Sequence, residues 1–600
     1  MKKLLLCLFC LMICFSLAAC GASDDAPIIC QHRDADDNVT CDKCGEAFED
    51  GKDIAEAPVC QHKDADKNHA CDYRCGETLG VCADANKDHT CDYGCGKSFG
   101  TCEDANGDSH CDYGCKKKFA IITYSNGAEF VSNGDGTCYV NGINIFGNRH
   151  LQIPPFSPSG DRVTSIKDYA FRDCYNLRSI AIPNSVISIG EGAFYGCDGL
   201  KSIIISDSVD FIGYNAFAGC NSLESIVVNE ANAKYQSIDE NLYTKDGKIL
   251  VQYAIGKSAT SFTISDSVEV IGDYAFAGCA NLTSVSIGNS VKYIGNYAFR
   301  DCDGLISTAI PNNVQALGYD AFRDCDGLTK VTIGNGVQAI NVYTFLGCKN
   351  LTNVTIGKSV ESISAYAFFD CYSLKSIEVN SANATYKSID GNLYTKDGKT
   401  IIQYAIGKTA TSFTIPDSVV TIGDYAFSQS VHLTSVSIKN TVKSINDYAF
   451  CDCDKLANVI IGKGVETIGN YAFYDCDSLS VMYDYDDYYD YDTSKDVTIG
   501  NGVKSIGDYA FYDCNNLSSM TISNSVKTIG NYAFYNCNNL TSLIIGSGVK
   551  TIGDYAFQDC RSLTTIKYRS TYKYWSYITV GTNWDYGIDS YKLTFNYTGK

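Results

Sequence analysis

Residues 281–302 read NLTSVSIGNSVKYIGNYAFRDC, and this stretch decides the fold. Its first half alternates: Leu282, Val285 and Ile287 face one way while Ser284 and Ser286 face the other, as in a half-buried strand. Val291, Ile294, Ala298 and Phe299 return on the far side, with Gly288 and Gly295 at the corners. One such turn of chain cannot bury its own apolar side. The motif recurs, however, and its phenylalanine falls at Phe171, Phe194, Phe217, Phe276, Phe299, Phe322, Phe345, Phe368, Phe427, Phe450, Phe473, Phe511, Phe534 and Phe557. Of the thirteen gaps between these residues, ten are 23, two are 59 and one is 38. A fixed period of this size means stacked units that bury a continuous core between neighbours. The expected fold is mainly β, a solenoid of about fourteen 23-residue coils with a parallel sheet, over residues 161–566.

Three insertions break the period. Segments 229–262 and 380–413 are near-duplicates, each containing Asn-Leu-Tyr-Thr-Lys-Asp-Gly-Lys. Asp246-Gly247 and Asp397-Gly398 are hairpin-turn signals, so both segments are expected as small hairpins projecting from the coil. The third insertion, 483–492, holds five tyrosines and five aspartates in a row. It reads either as a contact loop, since tyrosine supplies area at low entropy cost, or as a solvated loop that the solenoid tolerates.

The pattern Tyr-Ala-Phe-x-x-Cys followed by Leu-x-Ser-Ile/Val-x-Ile resembles that of the BspA-type leucine-rich-repeat proteins, over roughly residues 161–567. The resemblance implies a leucine-rich-repeat solenoid. It makes Gly134-Asp-Gly-Thr-Cys138-Tyr-Val-Asn-Gly142 part of an N-terminal cap, 119–160. Tyr574-Trp575 and Asn583-Trp584 then fall in a C-terminal closing segment, 567–600. Members are typically bacterial surface proteins, several implicated in adhesion to host matrix proteins or other cells. The implied partners are thus host or bacterial surface proteins or matrix.

The N-terminus reads as an export signal. Met1-Lys2-Lys3 is basic, Leu4 to Leu17 is apolar but short for a bilayer, and Leu17-Ala18-Ala19-Cys20 follows. This resembles a bacterial lipobox, which makes 1–19 a signal peptide, Cys20 the lipidated first residue and 20–29 a tether. Ordinary cleavage after Ala19 is the alternative. The membrane is then met only through the lipid anchor, with the chain outside the cytoplasm.

Between Cys30 and Cys115 one unit occurs four times, and each copy carries oxygen-bearing residues at offsets 0, 2, 4 and 8. They are Asp34, Asp36, Asn38 and Asp42; Asp64, Asp66, Asn68 and Asp72; Asp84, Asn86, Asp88 and Asp92; and Asp104, Asn106, Asp108 and Asp112. Alternate ligands in a tight loop wrap oxygen around a hard cation, and the pattern resembles the calcium loops of dockerins and thrombospondin type 3 repeats. Position 12 of each loop is not acidic, being Gly45, Cys75, Cys95 and Cys115. Calcium affinity is therefore expected in the range of extracellular modules, about 10⁻⁴ to 10⁻³ M. Zinc is an alternative: Cys30, His32, Cys41 and Cys44 make a Cys₃His set, and five of the seven histidines fall in this small Cys-rich module, 30–118. Its twelve cysteines can also pair as disulfides outside the cell, with calcium or alone.

Net charge is −21, which argues against nucleic acid or an anionic bilayer as the main partner. The repeats contain no phosphate loop, and His432 is a lone histidine in a divergent coil. The fourteen repeat cysteines read as a ladder of buried thiols packing as small hydrophobes. The chain is accordingly read as no enzyme. Alternation places Ser179, Ser202, Ser225, Ser284, Ser286, Ser307, Ser376, Ser435, Ser519 and Ser542 outward, with Lys330, Asn353, Asn458 and Thr565 in the same row. This stripe offers hydrogen bonds over a long flat face, which suits extended contact with a macromolecule. A spacer whose specificity lies in the N-terminal module is the alternative. A glycan binder is disfavoured because Trp575 and Trp584 are the only tryptophans.

Overall fold

The computed structural model describes residues 122–123, 127–143, 150–484, 497–588 and 590–597. The chain divides into two units, residues 1–122 with 131–135, and residues 123–130 with 136–600. The expected export signal with Cys20, the four expected cation loops and positions 485–492 of the Tyr/Asp run lie outside the described residues. The second unit is the solenoid.

Each coil contributes to two parallel ladders. The long ladder has strands of three or four residues, such as Ser202–Ile205 paired with Ser225–Val228. The short ladder has strands of two, such as Tyr293–Ile294 paired with Ala316–Leu317. Alternation works as read from the sequence: in Asn458–Ile461, Val459 and Ile461 are fully buried while Asn458 and Ile460 are half-exposed. Gly288 turns the chain between ladders, where a Cβ would sit 2.8 Å from the Ile264 carbonyl oxygen of the preceding coil. Only glycine fits so close an approach.

The repeat phenylalanines stack through the core. Phe299 and Phe322 have ring centroids 5.0 Å apart and nearly parallel planes, and Phe322 and Phe345 follow at 5.5 Å. Outside this column a row of tyrosines stacks at 4.5–4.7 Å from Tyr425 through Tyr448, Tyr471, Tyr509 and Tyr532. These tyrosines hold φ between 53° and 57°, a left-handed conformation costly for a bulky residue. Ring stacking and a backbone bond to the next coil, as in Tyr448 N–H to Asn470 O at 2.9 Å, hold them there.

Among the described residues the long ladder has nineteen strands, so the solenoid makes about nineteen turns rather than fourteen. The five strands that no repeat phenylalanine marks are His150–Gln152, Ser261–Thr263, Ser412–Thr414, Val497–Ile499 and Lys592–Thr594. Two of them belong to coils hidden in the duplicate insertions. There Tyr253 and Tyr404 take the phenylalanine's place, stacking on Phe276 and Phe427 at 5.1 Å each. Tyr253 N–H donates to Ala275 O as Phe276 N–H does to Ala298 O. Both tyrosine hydroxyls are buried without a partner. Tyr253→Phe and Tyr404→Phe are therefore expected to leave stability unchanged or to raise it by up to about 1 kcal/mol each. Thermal unfolding checks this, and a clear drop would contradict it.

The rest of each insertion corrects the expectation of projecting hairpins. Tyr235–Ile238 pairs antiparallel with Asn241–Thr244, which pairs antiparallel with Ile249–Gln252, and the last joins the short ladder at Val270–Ile271. Leu242 packs into the core of the preceding coils and its neighbour Tyr243 into that of the following ones. Leu393 and Tyr394 repeat this in the second copy. The hairpins are thus internal partitions that divide the apolar core into three clusters. Consecutive apolar residues on one strand present apolar groups on both faces, so the strand must be covered on both sides.

The ends are closed differently. Thr137–Ile143 pairs in parallel with Arg162–Ile166 and buries Cys138 and Val140 in the first coils. At the other end Trp584 meets the last repeat ring, Phe557, edge to face at 6.1 Å, and Trp575 packs on Tyr568 at 5.2 Å.

Candidate binding surface

The outward serines come into register as columns along the long ladder. Ser179, Ser202 and Ser225 are directly paired, as are Ser261, Ser284, Ser307, Lys330, Asn353 and Ser376. Ser412, Ser435 and Asn458 form a third column, and Ser519, Ser542 and Thr565 a fourth. Every one of them is half-exposed or exposed. The breaks between the first three columns fall at the partitions. The third and fourth lie on either side of residues 485–496, which are outside the described residues. The short ladder passes that point unbroken, with Thr467–Ile468 paired directly to Ser505–Ile506.

Beside the first position runs a second outward row that differs along the solenoid. In the middle coils it is Ser286, Ala309, Thr332 and Thr355, whereas in the first coils it is Ala181, Ile204 and Val227 in direct register. Ile204 is 59% exposed and Val227 43%. The sequence reading took the first row and only Ser286 from the second, and so passed over this apolar strip, although the same alternation points to it. His150 ends the first row, paired with Ser179 and with its Nδ1 2.8 Å from that hydroxyl.

The repeat cysteines face the interior. Thirteen of them stand three residues after the repeat phenylalanine, while Cys451 directly follows Phe450 and Ser430 fills the ladder position in the coil of Phe427. All described cysteines are free thiols, buried except for the half-exposed Cys174. Eleven of these thiols donate to the phenylalanine carbonyl of the preceding coil, as Cys348 does to Phe322 at 3.0 Å and Cys476 to Phe450 at 3.1 Å. They are hydrogen-bond donors as well as small apolar groups. Burial pushes Cys279 up to about 11 and Cys453 up to about 12, and raises Cys371 and Cys514 in the same direction. His432 is half-exposed beside the buried Leu433.

Among the described residues no group of three or more His, Cys, Asp or Glu is arranged to hold a metal ion. The sixteen expected oxygen ligands between Asp34 and Asp112 lie outside those residues. No described helix is long and apolar enough to cross a membrane.

Among solved structures, the chain is similar to a leucine-rich repeat protein from Eubacterium ventriosum, at 21% identity over 80% of this chain and 96% of that one, with a TM-score of 0.40. It is similar to a leucine-rich repeat protein from Bacteroides ovatus at 24% identity, over 78% and 98% of the two chains, with a TM-score of 0.38. A leucine rich cell surface protein from Faecalibacterium prausnitzii matches at 23% identity over 77% and 97%, with a TM-score of 0.36. No curated protein matches the chain. The family profile described as the BspA type Leucine rich repeat region matches in six copies, over residues 156–251, 253–375, 317–397, 399–483 and 483–579. Those matches take in every repeat phenylalanine and both partitions, and the chain belongs to the BspA-type leucine-rich-repeat family.

Proposed function

We propose that this protein is a non-enzymatic, lipid-anchored surface protein that adheres to a macromolecular ligand, foremost a host or bacterial surface or matrix protein. Leucine-rich-repeat proteins generally bind other proteins, and BspA-type members are typically surface-exposed. The observation that carries the reading is the long ladder itself, where outward hydroxyls lie in register over many coils beside the exposed Ile204 and Val227. A rigid face of this kind presents hydrogen bonds at a spacing of about 4.8 Å, with an apolar strip at one end. The serines from Ser179 to Ser542 are the proposed contact row. Cys20 is the proposed lipid anchor, and the four oxygen sets between Asp34 and Asp112 are proposed calcium loops, with zinc on Cys30, His32, Cys41 and Cys44 as the alternative.

Deleting residues 30–118 separates adhesion by the solenoid from a spacer role. Binding of the deleted chain to immobilised matrix and cell-surface proteins is expected to match that of the full chain. Loss of all binding on deletion would place specificity in the N-terminal module and leave the solenoid as a spacer. Metal analysis of the full chain distinguishes calcium, zinc and neither.

A further inference from the structure

One column on the short-ladder side carries a charge pattern that changes along the solenoid. The residue just before or opening each short strand bonds through its N–H to its counterpart one coil back. Glu269 stacks on Lys248 and Lys292 on Glu269, each at 2.8 Å. Further along Lys504 stacks on Glu466, Lys527 on Lys504 and Lys550 on Lys527, at 2.7–2.9 Å. Neighbours in such a column are about 4.8 Å apart, so like charges in sequence repel and opposite charges pair. The earlier coils obey this. Lys248 and Lys292 both grip Glu269, at 2.7 and 2.6 Å, and Lys443 pairs with Glu466 at 3.5 Å.

Up to Glu466 the charged members are paired or separated by uncharged ones such as Gln315, Gln338 and Val420; beyond it they are not. Lys504, Lys527 and Lys550 follow one another, all exposed, and among the described residues none of the three is in an ion pair. Beside them Ser505, Thr528 and Thr551 stand in direct parallel register. The surrounding segment also runs against the rest of the chain. Residues 501–600 carry nine Lys and Arg against six Asp, in a protein of net charge −21.

We propose that Lys504, Lys527 and Lys550, with the hydroxyls of Ser505, Thr528 and Thr551, form a binding rail for a linear polyanion bearing sulfate or phosphate groups. Three ammonium groups in single file along the solenoid axis match a polymer with repeating charges. The adjacent hydroxyls donate to the remaining anion oxygens. An anionic bilayer fits less well, because three lysines attract it only weakly and the acidic remainder of the chain repels it. The rail uses the other ladder from the serine row, so it stands or falls independently of the proposed adhesion face.

The test uses the full chain at low salt with three probes: heparin for sulfate, long-chain inorganic polyphosphate for phosphate, and dextran as the uncharged control. Heparin or polyphosphate is expected to bind, dextran is not, and the tighter of the two names the anion. The triple variant K504Q/K527Q/K550Q is expected to weaken that binding about tenfold or more. It should also lower the slope of log affinity against log salt by about 1 for each lysine removed. The charge-matched variant K201Q/K358Q/K375Q, which removes exposed lysines elsewhere, should stay within about twofold of the parent. The proposal is overturned if neither polyanion binds the parent chain, or if the two triple variants lose affinity equally. Circular dichroism of both variants establishes that each remains folded.

Discussion

Phe322→Ala is expected to destabilise the solenoid by about 3–5 kcal/mol, among the largest effects of any single substitution. The ring is fully buried and lies between Phe299 and Phe345 at 5.0 and 5.5 Å. Its removal deletes the transfer energy of a phenyl group and leaves a void that neighbouring coils cannot fill, because their backbones are fixed by two ladders. The site also lies within the middle of the three core clusters. In a one-dimensional stack, stability is a sum of coil and interface terms, so a weak coil in the middle splits cooperativity. Chemical denaturation should show a lower midpoint and a second transition, with the flanking clusters unfolding apart from the damaged one. An unchanged midpoint would contradict the stacked core.

Alkali is the second strong lever. Buried thiols such as Cys279 and Cys453 ionise only near about 11 and 12 in the folded chain, against an ordinary value near 9. Above pH about 9 the unfolded chain gives up thiol protons that the folded chain keeps, so stability is full below that pH and falls as pH rises toward the folded values. Each thiol costs about 1.4 kcal/mol per pH unit in that window. Cys371 and Cys514 shift in the same direction, and burial also pushes Tyr253, Tyr274 and Tyr404 up to about 12. The losses therefore accumulate in the middle and C-terminal clusters of the core. Melting temperatures measured under reducing conditions are expected to fall steeply between pH about 9 and 11. A flat profile over that range would mean that these groups are not buried as described.

The sequence made the period, the core column and the outward row legible because each is a local, repeated property. Phe299 has the same neighbours as Phe322, and the alternation around Val285 fixes which way Ser284 points. The hidden coils escaped because Gln252-Tyr253 stands where other coils have Ala-Phe, so the 23-residue step to Phe276 is present without its marker. The partitions escaped for another reason. Asn-Leu-Tyr-Thr before Asp-Gly reads as a hairpin whether it projects or is enclosed, and only burial of both Leu242 and Tyr243 decides between the two. The thiol ladder was read as apolar packing. Its donor role depends on a carbonyl 26 residues earlier, such as Phe322 for Cys348, which no local pattern reveals. The lysine rail likewise needs the register, since Lys504, Lys527 and Lys550 are ordinary surface residues until the ladder lines them up.

The claim at the centre of this account is that the long ladder is the adhesive face. It is tested most directly by surface plasmon resonance of the full chain over immobilised host-matrix and cell-surface proteins, with two matched variants. One carries S284R, S307R and S376R on the long ladder, and the other S362R, S444R and T467R on the short ladder, all exposed or half-exposed positions. The parent is expected to bind at least one ligand, the long-ladder variant to lose affinity about tenfold or more, and the short-ladder variant to bind like the parent. Equal binding by both variants, or binding lost only with the short-ladder substitutions, would contradict that claim.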